Sequence, residues 1–237
     1  MMKTTIGTFK PTGSLPQQGI VLLFDLEGFS KFFSQPDVQD YVPKYLNIIL
    51  EAFDICIYGG EAYWALDSGN KQITYEPTRE PIHSKFLGDG ALYIWNFNDF
   101  DEPKRILLIN RLWTLKTHFD KILLRASDEV PILDIPKRIR IGIAAGTVYK
   151  LTFTNSNKEE YVGYSINLAS RLQSYCRNIG FIVSGRMNIQ LSKLTKDNYK
   201  RVVANSIKGF PQEIVVVDND DYDALDDDIK KKLFTEL

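Results

Sequence analysis

The sequence predicts an α/β fold, an α+β sandwich in which helices cover one face of a mixed β-sheet. Three observations predict it. A continuous apolar strand ends at Asp25, an Asp-Gly hairpin joins the segments 82–86 and 91–95, and helical and strand patterns alternate along the 237 residues. Since no repeat or linker interrupts the alternation, we expect one domain.

The first half of the chain supplies the clearest local patterns. Val21 to Phe24 form an unbroken apolar run, typical of a buried strand. The stretch 37–60 carries apolar side chains at helical spacing from Tyr45 to Cys56 and then Gly59, which predicts a helix with a glycine stop. Segment 60–80 has no helical period and resembles either a strand pair or an insertion.

The second half continues the alternation up to an acidic C-terminus. Its patterns predict a helix over roughly 101–126, a long strand from 138, a short extended segment at 159–163, a helix from 164, a strand at 180–185 and a final strand pair. We therefore expect an N-terminal arm at 1–18, a core at 19–217 and an acidic tail at 218–237. The tail is most simply a solvated cap on a short helix, with a regulatory arm as the alternative.

Composition excludes several classes of function. With 44% hydrophobic and 25% charged residues the chain resembles a soluble globular protein, and its net charge of −1 argues against nucleic-acid binding. No apolar run approaches the roughly 20 residues that span a bilayer, and residues 1–13 lack the apolar centre of a signal peptide. We expect a cytoplasmic protein. Two cysteines and two histidines are too few for a zinc site, so any metal should be a hard cation held by carboxylates.

Two aspartates occupy places where a carboxylate is unusual. Asp25 ends the buried strand, where an unpaired acid is costly, and Asp89 lies at the hairpin turn. If the hairpin pairs beside the first strand, both acids meet at one edge of the sheet, an arrangement typical of a pair of divalent ions. The alternatives are a helix cap for Asp25 and an ordinary turn residue for Asp89.

Three polar side chains in the second half are candidates for phosphate and sugar contacts. Asn167 and Arg171 lie four residues apart on one predicted helix, a pair suited to stabilising charge on a phosphoryl group. Lys208 could contact a phosphate. A solvated surface is the alternative for all three. The small residues of "GIAAG", Gly142 to Gly146, indicate close approach by another backbone or a ligand.

Five motifs in this order resemble the class III nucleotide cyclase catalytic domain. They are "FDLEGFS", "KFLGDG", "RIGIAAG", "YVGYSINLASR" and "IKGF", spread over about residues 19–217. The resemblance implies a ferredoxin-like sandwich that forms a head-to-tail homodimer, with catalytic sites at the interface. All the required residues are present in one chain, so a homodimer would hold two complete sites.

The resemblance also implies a role for individual residues. Asp25 and Asp89, with the carbonyl of Leu26, would bind two Mn²⁺ or Mg²⁺ ions, one activating the ribose 3′-hydroxyl and one binding the triphosphate. Asn167 would orient the ribose and Arg171 would stabilise the pentavalent transition state. In the same family a lysine at the position of Lys208 binds the triphosphate.

The base-contacting positions depart from the family pattern. Adenylyl cyclases have a lysine three residues before the glycine of "GD" and an aspartate seven before the asparagine; here these are Lys85 and Glu160. The longer acid would narrow the pocket, which suits a smaller base. Lys85 would donate to uracil O4 while Glu160 accepts from N3–H, or cytosine would offer its N4 amine and N3 to the same pair. Tyr45, in the tyrosine-rich helix, is expected to crowd the base.

With these departures the chain resembles the bacterial pyrimidine cyclases of the Pycsar antiphage systems. The resemblance implies conversion of UTP to cyclic UMP, a second messenger that switches on a separate effector protein. The alternatives are a cytidylate cyclase, then an adenylate cyclase, then a non-catalytic module that binds nucleotide or dimerises.

Overall fold

The computed structural model describes residues 8–11, 13–132, 134–154, 156, 158–194 and 197–237. The strands in this part of the chain are Pro16–Glu27 (β1), Gly60–Leu66 (β2), Gln72–Tyr75 (β3), His83–Phe86 (β4), Gly90–Asn96 (β5), Arg138–Thr152 (β6), Glu159–Gly163 (β7), Phe181–Ser184 (β8), Tyr199–Ala204 (β9), Glu213–Asp218 (β10) and Phe234–Glu236 (β11). The α-helices are Phe29–Phe33 (α1), Val42–Tyr58 (α2), Glu102–Thr117 (α3), Phe119–Glu129 (α4), Tyr164–Gln173 (α5), Asn219–Asp223 (α6) and Asp227–Leu233 (α7).

One mixed sheet organises the fold, as expected. Its strand order is β11-β9-β10-β8-β6-β1-β5-β4, β7 pairs with the far part of β6, and β2-β3 form a separate pair. The β6–β8 pairing is parallel, whereas β1 is antiparallel to both β5 and β6. The strand that ends near Asp25 therefore lies in the middle of the sheet, between the β4–β5 hairpin and β6.

Helices pack on both faces of this sheet, whereas we expected them on one. Leu22 and Phe24 of β1 belong to the core cluster shared with α2, α3 and α4, but Val21 belongs to the cluster shared with α5. Alternate residues of a strand point to opposite faces, so an apolar run without alternation serves two helical layers. Gly142 permits the second layer, since a Cβ atom there would lie 2.2 Å from the carbonyl oxygen of Ala169 in α5.

The helix expected over 101–126 is two helices, α3 and α4. They break at His118, which has φ −106° and ψ 28°. Its backbone N–H makes the last helical bond of α3, to the carbonyl of Thr114 at 3.0 Å, and its ring Nδ1 lies 3.0 Å from the same oxygen. Phe119 and Ile122 of α4 are buried beyond the break.

The acidic tail is part of the fold and not a solvated cap. Asp218 is 2% exposed and accepts a hydrogen bond from Trp113 Nε1 at 2.6 Å. Lys116 Nζ lies 3.2 Å from the same carboxylate. Phe234 is buried in β11, which pairs with β9. At the other end of the chain, residues 1–7 and 12 of the expected arm lie outside the described residues, and residues 16–18 belong to β1.

Segment 60–80 is a strand pair, one of the two alternatives expected for it. Arg111 of α3 holds this pair against the helices, because its Nη1 donates to the carbonyls of Cys56 at 3.3 Å and Glu76 at 2.7 Å. Its guanidinium also lies 4.6 Å from the ring centroid of Tyr75. The pair is thus fastened to α2 and α3 by one buried cation.

Candidate active site

Asp25 and Asp89 lie side by side where β1 ends next to the β4–β5 turn, and this end of the strands is the sheet edge that we refer to below. Asp25 pairs with Gly90 across β1 and β5, and the N–H of Leu26 donates to the carbonyl of Asp89 at 2.9 Å. The left-handed residue of the hairpin is Gly88, with φ +99°, so the turn is one residue earlier than expected. A Cβ at Gly90 would lie 1.9 Å from a backbone oxygen of β1, so only glycine allows this approach.

Asp25 is a strand residue and not a helix cap. The residue that precedes α1 is Gly28, and no side chain caps that helix. The acid faces β6 instead, directly opposite Arg140 in the strand register.

Arg140 binds both oxygens of Asp25. Its Nε donates to Oδ1 at 2.9 Å and its Nη2 to Oδ2 at 2.6 Å, with side chains 17% and 20% exposed respectively. The hydrogen bond to Asp25 raises the pKa of Arg140 above its usual value, and the charges of Glu27 and Asp89 add to this. Our sequence reasoning missed Arg140, although a cation alternating with isoleucines in "RIRIGIAAG" was the available signal.

The donor atoms at this edge suit a hard divalent cation. Carboxylate and backbone carbonyl oxygens are ligands of Mg²⁺ and Mn²⁺. Within the described ranges no group of three or more His, Cys, Asp or Glu residues converges on a metal position. Two acids and the Leu26 carbonyl would therefore be completed by water and substrate oxygens, as is usual for Mg²⁺. A cation there would share Asp25 with Arg140.

Asn167 and Arg171 are exposed on the outer face of α5. Leu168, Ala169 and Leu172 turn inward to the sheet. Among the described residues neither the amide of Asn167 nor the guanidinium of Arg171 has a hydrogen-bond or ion-pair partner. The pair is accessible to a ligand or a second chain, and its expected role stays a prediction.

Lys85 and Glu160, the expected base-contacting residues, are in direct contact. Lys85 Nζ donates to Glu160 Oε1 at 2.6 Å although the residues are 75 apart in sequence. His83 lies beside them, with its ring centroid 5.0 Å from that of Tyr161. Burial lowers the pKa of His83 below its usual value, opposed by the charge of Glu160. The structure thus places both residues at one point between β4 and β7.

Tyr45 does not fit the role expected for it, and we correct that expectation. It is 0% exposed, and its hydroxyl donates to the carbonyl of Pro136 at 3.0 Å. Its ring packs 5.1 Å from that of Phe32 inside the α2 layer. Because both the ring and the hydroxyl are engaged in the core, Tyr45 is not available to contact a base.

Lys208 lies in a tight turn between β9 and β10. The N–H of Phe210 donates to the carbonyl of Ile207 at 3.0 Å, and Gly209 has φ +83°, as the third residue of a type II turn requires. Lys208 is exposed on this turn. The ring of Phe210 packs edge-on against Tyr164, the first residue of α5, at 5.0 Å.

No protein-family model and no curated protein matches the sequence. Solved structures do match. The adenylyl cyclase CyaB from P. aeruginosa is 18% identical, with 87% of this chain and 96% of that chain covered and a TM-score of 0.58. For the guanylyl cyclase Cya2 the values are 16%, 87%, 93% and 0.55. A bacterial light-regulated adenylyl cyclase is 15% identical, with 86% and 91% covered and a TM-score of 0.56.

These similarities confirm the expected fold, which is that of adenylyl and guanylyl cyclases. At these identities they establish the fold alone. Among the helices that the structure describes, none combines the length and the apolar character needed to cross a bilayer.

Proposed function

We propose that the chain is a nucleotide cyclase that converts a nucleoside triphosphate to a 3′,5′-cyclic nucleotide and pyrophosphate. The observation that carries the proposal is the meeting of Asp25 and Asp89 at one sheet edge, where β1 is joined to the β4–β5 hairpin. The similarity in fold to adenylyl and guanylyl cyclases supports it.

The proposed reaction needs positioning and charge stabilisation but no covalent intermediate. The ribose 3′-oxygen attacks the α-phosphorus in line, the bond from that phosphorus to the β-phosphate bridging oxygen breaks, pyrophosphate leaves and the 3′-hydroxyl proton passes to solvent. Two divalent cations, when bound, would neutralise the triphosphate and acidify the 3′-hydroxyl.

The chain's own residues divide the remaining work in a homodimer. Asp25 and Asp89 would hold the cations, with Arg140 fixing the orientation of Asp25. From the partner chain, Asn167 would orient the ribose and Arg171 would stabilise charge on the transferring phosphoryl group. Each site is incomplete without the second copy, so a monomer would be inactive.

We further propose a pyrimidine substrate, UTP before CTP. Lys85 and Glu160 satisfy each other at 2.6 Å, so a base that separates them must offer an acceptor to one and a donor to the other. Uracil does so through O4 and N3–H, and cytosine through N3 and its N4 amine. Glu160 extends one methylene further than the family's aspartate, which leaves less room for a purine.

Incubation of the purified protein with Mn²⁺ and each nucleoside triphosphate in turn tests both parts. We expect cyclic UMP and pyrophosphate, lost in Asp25→Ala and retained in Asp128→Ala, which removes an exposed acid on α4. Turnover of ATP alone would overturn the pyrimidine assignment and leave the cyclase. No product from any nucleotide, with the fold intact, would favour a binding module.

The biological role that we propose is production of a second messenger in antiphage defence. It rests on the resemblance to the Pycsar cyclases and requires an effector protein that binds the product. Cells that carry the chain together with an effector protein that binds cyclic UMP should resist phage, and cells that carry Asp25→Ala with the same effector should not. Equal resistance of the two strains would contradict this role.

A further inference from the structure

We propose that Tyr164 is a positioning residue that couples the turn carrying Lys208 to the helix carrying Asn167 and Arg171. The inference rests on the proposed function, since it concerns how three of its substrate-contacting groups are held together. The juxtaposition that carries it is one tyrosine ring packed between Phe210 and Arg186, with its hydroxyl on a buried carboxylate.

The hydroxyl end of Tyr164 is fixed to the sheet. It donates to Glu213 Oε1 at 2.7 Å, and Arg186 Nη2 donates to the same oxygen at 2.7 Å. Arg186 Nε adds contacts of 3.1 and 3.0 Å to the two oxygens. Glu213 is 4% exposed and lies in β10, so the tyrosine is anchored to the sheet through a charge-assisted network.

The ring of Tyr164 is held from two sides. The ring of Phe210 meets it at a centroid distance of 5.0 Å and an angle of 80°, an edge-to-face arrangement. The guanidinium of Arg186 lies 4.9 Å from its centroid. Phe210 also closes the turn through its N–H, so the position of Lys208 follows from the position of this ring pair.

The third connection is the chain itself. Tyr164 begins α5, and Asn167 and Arg171 follow one and two turns later on the same helix. A rigid helix transmits the placement of its first residue to both side chains. The ring, the turn and the helix therefore behave as one body, which is the preorganisation that triphosphate binding requires.

An apolar contact alone would hold a helix to a turn at lower cost. Glu213 is 4% exposed and must be desolvated, while its cation, Arg186, has a side chain that is 47% exposed, so the ion pair contributes little net stability. What the network adds is a fixed direction for the tyrosine ring. That direction matters only if the groups on either side must keep a set separation, as the two ends of a bound nucleotide demand.

The test is a double-mutant cycle on binding of inorganic pyrophosphate with Mg²⁺, measured by calorimetry on the full chain. We expect Lys208→Ala and Tyr164→Ala each to weaken binding by about tenfold, and the double variant to be no weaker than Lys208→Ala alone. Tyr164→Phe keeps the ring and should lose less. Tyr222→Ala is the matched control, because the ring of Tyr222 also packs edge-on against a phenylalanine, Phe234, and lies 4.4 Å from a cation, Lys200, but at the C-terminal tail.

Three results would overturn the proposal. They are additive losses in the cycle, a Tyr164→Ala variant with unchanged pyrophosphate affinity, or pyrophosphate binding that does not depend on Lys208. If Tyr164→Ala does not fold, Phe210→Ala breaks the same contact from the other side and takes its place in the cycle. Coupled binding without any cyclic product would uphold this inference while the cyclase proposal fails, and additive losses in an active cyclase would do the reverse.

Discussion

Replacing Arg140 by Gln tests the strand-to-strand ion pair on which the geometry of Asp25 depends. The substitution removes the guanidinium that binds Asp25 at 2.9 and 2.6 Å and leaves the carboxylate, which is 20% exposed, without its partner. We expect the variant to fold with lower stability, since the remaining acid is partly desolvated.

The size of the effect follows from the geometry. Two unit charges about 4 Å apart attract by about 4 kcal/mol at an effective dielectric constant of 20, and desolvation offsets much of this. A bidentate pair at about 20% exposure should therefore retain a coupling energy of about 1–2 kcal/mol, more than a surface pair. For a chain of this length that corresponds to roughly 2–8 °C in Tm.

Urea unfolding of the wild type, Arg140→Gln, Asp25→Asn and the double variant in EDTA would measure the coupling energy. Glu27 and Arg138 are the matched control, because they face each other two residues along the same strands at 3.7 Å with side chains 33% and 46% exposed. Their coupling should stay below about 0.5 kcal/mol. Equal coupling in the two pairs would refute our account of how Asp25 is held.

Three further predictions concern the site and its support. Mixing equal amounts of inactive Asp89→Ala and Arg171→Ala chains should restore about a quarter of wild-type turnover, because half the dimers are heterodimers and each of these has one intact site of its two. Heterodimers without activity would contradict shared sites. Gly142→Ala should lower the free energy of unfolding in urea by about 1–3 kcal/mol, because the added Cβ meets the α5 backbone. Gly13→Ala is the control and should lower it little, since no atom lies within 4 Å of a Cβ there. Equal losses in the two variants would contradict this packing. Burial lowers the pKa of His83, so the unfolded chain binds a proton at higher pH than the folded chain does, and the free energy of unfolding should fall as the pH drops below about 6.5. In His83→Gln the plot of Tm against pH should be flatter over this range. An unchanged slope would contradict this.

Local patterns predicted the elements whose causes are local. The α2 helix stops before Gly59, which has φ +86°, and the β4–β5 hairpin forms where its turn residues predicted, although the left-handed residue is Gly88 and the turn is one residue earlier. The meeting of Asp25 and Asp89 was predictable because Asp25 follows the apolar run of β1 and Asp89 directly precedes the apolar strand β5. The fold class followed from the alternation of these elements.

The features that sequence reasoning missed depend on contacts between distant residues. Arg140 is 115 residues from Asp25, and their pairing is a matter of strand register. Tyr45 satisfies helical periodicity whether it is in the core or in a pocket; its hydrogen bond to Pro136, 91 residues away, decides between them. The acidic composition of the tail likewise concealed Phe234, whose burial depends on pairing with β9.

The two free thiols lie on opposite sides of the sheet. Cys56 is 0% exposed in the α2 layer, where burial raises the pKa of its thiol, and Cys176 is 4% exposed in the α5 layer. Alkylation of either cysteine requires that the helical layer around it open. Mass spectrometry of the two labelled peptides therefore measures the opening rate of each layer separately in the same chain. Equal labelling rates would mean that both layers separate from the sheet in a single cooperative event, and unequal rates would identify the layer that loosens first.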